Sequence, residues 1–62
     1  MAYTVTWCGR QGIVDKMTFE AEKSAKNHAI TMFPIRKDDD GIVSVEVRKD
    51  SGAVVFSHAG NS

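Results

Sequence analysis

The first residues of the chain alternate between two chemical classes, as in a β-strand with two distinct faces. Tyr3, Val5 and Trp7 fall on one face of such a strand, and threonines together with Cys8 fall on the other. Both faces carry β-branched or aromatic residues, which are enriched in strands. The pattern therefore predicts a strand over residues 2–8.

Two glycines that follow this strand indicate a turn. Gly9 and Gly12 bound a segment of four residues with polar side chains between them. Residues 13–18 then fit either a second strand that closes a hairpin or an extended lead-in to a helix. We favour the strand, because a short glycine-bounded connection suits a hairpin.

The next stretch is rich in good helix formers and predicts a helix over Phe19–Met32. Thr18 is placed as its N-cap, with glutamates close behind in the first turn. Pro34 is expected to end the helix, because proline disfavours helical geometry at Phe33 and cannot donate a backbone hydrogen bond. Mostly small residues recur at helical spacing and form one narrow stripe: Ala21, Ala25, Ala29 and Met32.

Residues 34–41 are predicted to form a polar connection that ends in an Asp-Gly turn signal. The clearest strand pattern of the chain follows over residues 42–49. Val43, Val45 and Val47 lie on one face of this predicted strand, and polar residues lie on the other.

A short loop at residues 50–52 is expected to return the chain into a last strand. Gly52 suits this hairpin loop, since glycine adopts a positive φ without steric cost. Val54 and Phe56 alternate with other residues in the returning strand, 53–57, and residues 58–62 are predicted to be a flexible tail.

The predicted element order is β-β-α-β-β, or β-α-β-β if residues 13–18 do not pair. Either order gives an α+β fold with one helix packed on a small, mostly antiparallel sheet. A chain of 62 residues holds a single domain, residues 1–62. The apolar faces predict a core composed of Tyr3, Val5, Trp7, Ala21, Ala25, Ala29, Met32, Val43, Val45, Val47, Val54 and Phe56.

Composition and charge narrow the class of protein. Basic and acidic residues both number eight, so the chain lacks the basic surplus that is usual in nucleic-acid-binding proteins. No run of 18 apolar residues is present, which predicts no membrane partner. The N-terminus has no signal-peptide pattern and Cys8 is the only cysteine, so we expect a cytoplasmic protein, in a bacterial host if a phage encodes it.

The sequence offers no convincing catalytic, cofactor or metal site. Cys8 has no base placed near it by the sequence, and it is expected to pack as a small hydrophobe. His28 is expected to be a partly buried, hydrogen-bonded residue of the helix. The run Asp38–Gly41 places its acids consecutively, unlike the alternating ligands of a calcium loop. We therefore expect no enzyme, no cofactor and no metal.

Since no catalytic or metal site is expected, we expect a binding module whose favoured partner is another protein. The expected contacts combine an acidic turn, basic side chains and an apolar helix flank: Arg10, Ile30, Phe33, Asp38, Asp39, Asp40, Arg48 and Lys49. A nucleic-acid-binding module that uses arginines and lysines at a sheet edge and in loops is one alternative, and a structural or assembly protein is another.

The face of the sheet opposite the helix is expected to be uncovered and mostly uncharged. Two copies could pack through this face or join strand edges, which makes a homodimer a further expectation. The residues assigned to the face are Thr4, Thr6, Cys8, Ile42, Ser44 and Val55.

The plan of the chain resembles that of short phage-encoded inhibitors, including some anti-CRISPR proteins. The likeness is carried by the strand Tyr3-Thr4-Val5, the helix entry Thr18-Phe19-Glu20-Ala21 and the hairpin from Gly41 to Phe56. The resemblance implies a stoichiometric inhibitor of a bacterial enzyme or defence complex, and it carries over no site residues.

Overall fold

The structure is a computed structural model that describes residues 2–59. Four strands and one helix make up this part of the chain. They are β1 (Tyr3–Gly9), β2 (Gly12–Phe19), α1 (Glu22–Asp40), β3 (Ile42–Lys49) and β4 (Val54–Ala59).

The strands form one antiparallel sheet in the order β2-β1-β3-β4, with α1 on one face. The predicted α+β fold with the order β-β-α-β-β is therefore confirmed. The segment that the sequence left open is strand β2, which pairs with β1 along its length. Strands β1 and β3 occupy the centre of the sheet, and β2 and β4 are its edges.

The core lies between α1 and the two central strands. Ala25 and Ala29 are fully buried, which confirms the two central alanines of the predicted stripe, where the helix approaches the sheet. Val5, Trp7, Val45 and Val47 are also buried as predicted, and Phe33 and Ile42 complete the buried cluster. Tyr3, Met32 and Phe56 are partly buried against this cluster, whereas Ala21 is exposed.

Three β-bulges correct the predicted strand faces, and at each of them the pairing of two strands skips a valine. The pairing steps over Val14 between β1 and β2, over Val43 between β1 and β3, and over Val55 between β3 and β4. A bulge inserts one residue and so reverses the alternation beyond it.

The reversal explains two wrong predictions about the core. Val43 and Val54 were expected to be buried and are exposed, whereas Ile42 belongs to the core rather than to the open face. Val55, also assigned to the open face, packs partly against the core.

The helix begins three residues later than predicted. Thr18 is not an N-cap, because it lies in β2 and pairs with Thr4. The N-cap residue is Ala21, which makes no side-chain capping hydrogen bond. Phe19 extends β2 because its ring packs on His28, with the ring centroids 4.9 Å apart.

The helix also continues through Pro34 to Asp40, so the polar connection predicted for residues 34–41 is wrong. Pro34 is exposed, and so is Ile30, the residue whose carbonyl group would have accepted the hydrogen bond that proline cannot donate. Phe33 is buried on one side of the proline and the Arg36 side chain contacts the sheet on the other. These tertiary contacts offset the local cost of the proline. Gly41 then ends the helix with a φ of 67°.

Strand β4 runs to Ala59, so His58 and Ala59 are paired rather than part of a tail. The rest of the predicted tail, residues 60–62, lies outside the described residues. Over residues 2–59, no helix has both the length and the apolar character needed to cross a membrane.

Candidate functional site

One end of the sheet carries an open cleft, which we call the hairpin-end cleft. It lies between the β1–β2 turn, the last turn of α1 and the start of β3, with a volume of about 800 Å³. Its apolar lining includes Ile13, Val14 and Val43, and its charged lining residues are Arg10, Lys37 and Asp40.

The bulges create the apolar part of this cleft. Val14 and Val43 are the unpaired residues of two bulges that flank the same end of β1. Because a bulge redirects side chains, both valines are exposed to solvent instead of alternating into the core. Ile13 lies beside them and is 60% exposed. Half of the six large apolar side chains that are exposed on residues 2–59 thus meet in the cleft.

Gly9 allows Val14 to occupy its position. A Cβ atom at residue 9 would lie 2.9 Å from the Cγ2 atom of Val14, which is shorter than a normal contact. The glycine therefore lets the bulged valine lie directly against the β1 backbone. A side chain at this position would push Val14 aside and reshape the apolar lining.

Arg36 bridges the helix and β2 next to the cleft. Its Nη2 atom donates to Oδ2 of Asp15 at 3.0 Å, and its Nη1 atom lies 3.8 Å from Oδ2 of Asp40. The guanidinium carbon lies 5.0 Å from the centroid of the Trp7 ring, within the range of a cation–π contact. The Arg36 side chain is therefore engaged in contacts within the fold, and its guanidinium group lies over the Trp7 ring.

Some of the sequence-predicted contact residues come together at this cleft. Arg10, in the β1–β2 turn, and Asp40 both line it. Asp38 and Asp39 are exposed in the same last turn of α1 as Asp40. Three carboxylates at the negative end of the helix dipole are electrostatically unfavourable for the isolated helix.

The other predicted contact residues lie elsewhere. Phe33 is only 6% exposed and stacks edge-on against His58, with the ring centroids 4.6 Å apart. The prediction that it extends an exposed patch is therefore wrong. Ile30 is exposed on the helix, outside the cleft.

Arg48 and Lys49 lie at the opposite end of the sheet from Arg10. Lys49 pairs with Tyr3 at the start of β1, whereas Arg10 follows the end of this strand, about 20 Å away for an extended segment of this length. The guanidinium of Arg48 pairs with Glu46 at 2.9 Å. A shallow hollow on the open sheet face includes Arg48 and Lys49 together with Thr4, Thr6 and Cys8.

The thiol and the imidazoles of the described chain lie on different sides of the sheet. Cys8 pairs with Ser44 on the open face, whereas His28 packs against Trp7 and Phe19 on the helix face. His58 also lies on the helix face, against Phe33. The sheet thus separates Cys8 from both histidines. Within residues 2–59, no three His, Cys, Asp or Glu side chains gather as a metal site would require.

Sequence reasoning missed the apolar residues of the cleft. A usable signal was present, because Ile13-Val14 and Ile42-Val43 are adjacent β-branched pairs, each directly after a glycine. Two neighbouring residues of a regular strand point to opposite faces, so one member of each pair had to leave the core face. The partner that made each bulge, however, lies on a distant part of the chain.

Comparisons with known proteins give no relative for this chain. No family model, no curated protein and no solved structure matches it.

Proposed function

We propose that this protein is a non-catalytic binding module that docks on another protein through the hairpin-end cleft. The observation that carries this proposal is the convergence of Ile13, Val14 and Val43, all exposed, within a rim of charged side chains. A compact apolar patch with a polar rim is the usual form of a protein–protein contact surface.

The cleft lining carries Arg10 and Lys37 beside Asp40, and the acidic end of α1 next to it favours a partner with a basic region close to an apolar side chain. Asp38, Asp39 and Asp40 are consecutive in the last turn of α1, and Asp40 lines the cleft. Complementary charges speed the encounter and fix the orientation of two proteins. The acidic turn would therefore meet a basic region of the partner while the apolar lining receives a side chain.

The mechanism is steric blocking. A domain that covers a nucleic-acid or substrate site of its partner inhibits it without performing chemistry. The resemblance to small phage-encoded inhibitors favours this form, a stoichiometric inhibitor of a bacterial enzyme or defence complex in the cytoplasm. The basic surface that the acidic turn requires fits a nucleic-acid-binding site on such a partner.

A nucleic-acid-binding module receives less support from the arrangement of cations. Arg36 is engaged by Asp15 and Asp40, and Arg48 is paired with Glu46. Other cations form two separate groups, Arg10 with Lys37 at the cleft and Lys16 with Lys49 at the hollow on the open face. Phosphate binding requires cations along one continuous path, since its affinity depends on counterion release. A gel shift at low salt that disappears at higher salt would favour this alternative.

The proposal is tested with two matched substitutions. Ile13 and Ile30 are 60% and 57% exposed, respectively, but only Ile13 lines the cleft, at the point where the cleft adjoins the hollow on the open face. We expect Ile13→Lys to weaken binding of a captured partner at least tenfold, because a charge replaces an apolar contact (about 1.4 kcal/mol or more). Ile30→Lys is expected to leave binding unchanged.

Partner capture from bacterial lysate followed by calorimetric titration of each variant supplies the measurement. Circular dichroism and thermal melts check that both variants fold. Loss of binding in Ile30→Lys alone would place the contact on the helix flank. Equal binding by all three proteins would contradict the cleft as the docking site.

A further inference from the structure

Strand β4 forms an edge of the sheet that has no charged side chain. From Ser51 to the last residue the sequence contains no Asp, Glu, Lys or Arg. Within β4, Val55 and Phe56 are half-buried, and Val54 and Ser57 are exposed. An edge strand presents unpaired backbone N–H and C=O groups, and charged side chains are a common way to keep another strand away. This edge lacks that protection.

The opposite edge is protected. Strand β2 carries Asp15 and Lys16 at its middle, and Asp15 is tied to the helix by Arg36. Both edges contain a bulge, at Val14 in β2 and at Val55 in β4, so the charged side chains are what distinguishes β2. Two copies of β2 centred on Asp15 or Lys16 would place like charges directly opposite each other, which destabilises strand pairing.

We propose that β4 pairs antiparallel with β4 of a second copy of this chain and joins the two sheets into one. This inference concerns a different surface from the hairpin-end cleft and does not depend on the proposed function. The pairing is isologous, so a single two-fold axis relates the two copies and closes the dimer.

The register that fits the strand is centred on Ser57. It pairs residues 56–58, which lie beyond the bulge at Val55, and it places Ser57 opposite Ser57 of the second copy. Phe56 then lies opposite His58 of the second copy. Both residues lie on the helix face, since Phe56 is paired with Val47 and His58 with Val45. The symmetry provides this aromatic contact twice, and aromatic cross-strand pairs stabilise sheets.

A second copy suits this edge better than a charged partner strand. The formal net charge of the chain is zero, so two copies do not repel each other through long-range electrostatics. Strand pairing alone buries less than the roughly 800 Å² per partner of a standard interface. The dimer is accordingly expected to be weak and to depend on protein concentration.

The first test compares the same substitution at the two edges. Ser57 on β4 and Thr18 on β2 are both exposed and lie on the open face of the sheet. Sedimentation equilibrium of the wild-type chain up to about 1 mM should show a mass that rises toward twice the monomer. Ser57→Lys places two lysines across the axis and should weaken association about tenfold. Thr18→Lys should associate as the wild type does.

The second test uses a disulfide to detect the proposed register of the two β4 strands. In a Cys8→Ser background, Ser57→Cys is expected to form a disulfide-linked dimer under mild oxidation. Residues directly opposite in an antiparallel pair have Cα atoms about 5 Å apart, which suits a disulfide. Thr18→Cys in the same background is the control and should remain mostly monomeric.

Each contrary outcome would overturn the proposal. A monomeric mass at every concentration together with no Ser57→Cys crosslink would exclude the β4 dimer. Association that is lost in Thr18→Lys would assign the contact to β2. A monomer whose binding of another protein is lost in Ser57→Lys would show that the edge receives a foreign strand instead.

Discussion

The two edges of the sheet are attached to the helix by different kinds of contact. Strand β2 is held by the hydrogen-bonded ion pair of Arg36 with Asp15 and by the packing of Phe19 on His28. Strand β4 meets the helix through the edge-on stack of Phe33 and His58. Both edges thus have an aromatic contact with the helix, and among the described residues only β2 adds an ion pair to it.

The difference shows how a small domain can protect one edge and leave the other available. Asp15 of β2 is paired with Arg36 of the helix and Lys16 is exposed beside it, so a second strand at this edge would pair next to charged side chains. Strand β4 carries no Asp, Glu, Lys or Arg, so pairing at this edge would not remove a charged side chain of the strand from water. Substitutions at the helix contacts of the two edges should therefore change stability by different amounts.

The largest effect is expected from Phe33→Ala, because it removes a buried ring between α1 and β4. Truncation of a buried phenylalanine costs about 3 kcal/mol or more, and a chain of this length is stabilised by only about 3–9 kcal/mol. Urea unfolding should report the loss, and native-state hydrogen exchange should show amides of β4 becoming less protected than those of β2. Equal loss of protection at both edges would contradict the assignment of Phe33 to the β4 side.

An intermediate effect is expected when the charge that holds β2 is removed. Asp15→Asn keeps the size of the side chain but loses the charge-assisted hydrogen bond with Arg36, which should lower the free energy of unfolding by about 1 kcal/mol. Glu46→Gln is the control, because Arg48 in that pair is half exposed. The control should cost less than about 0.5 kcal/mol. Equal losses in urea unfolding would show that Arg36 does not clamp this edge.

The smallest effect is expected at the end of α1 near the β2 side. Asp38→Asn removes one negative charge from the negative end of the helix dipole and should raise the free energy of unfolding by a few tenths of a kcal/mol. Asp50→Asn, in the β3–β4 loop, is the matched control and should have no effect. If the acidic turn meets a basic partner, Asp38→Asn should also weaken partner binding while it stabilises the fold. A variant that is less stable than the wild type would argue against this account of the helix end.

Much of the candidate site could not be predicted from the sequence, because segments far apart in the chain form it. Arg10 and Asp40 were identified as surface residues, but nothing local indicated that the β1–β2 turn and the helix end would form one cleft. Val43 was assigned to the core by strict alternation, and the bulge opposite Cys8 and Gly9 placed it in the cleft instead. A bulge depends on the fit between two strands, so it cannot be predicted from either strand alone.

The sequence by itself determined the local elements and the centre of the core. Alternation in β1 and alanine spacing in α1 are local patterns, because each depends on residues within one element. The tertiary structure alone decided that the helix continues past Pro34 and which valines are exposed. It also decided that the ion pair of Arg36 with Asp15 holds edge strand β2 to the helix, whereas β4 is the edge strand without charged side chains. Each of these outcomes depends on contacts between residues far apart in the chain, such as Arg36 with Asp15 and Phe33 with His58, whose energies outweigh local preferences.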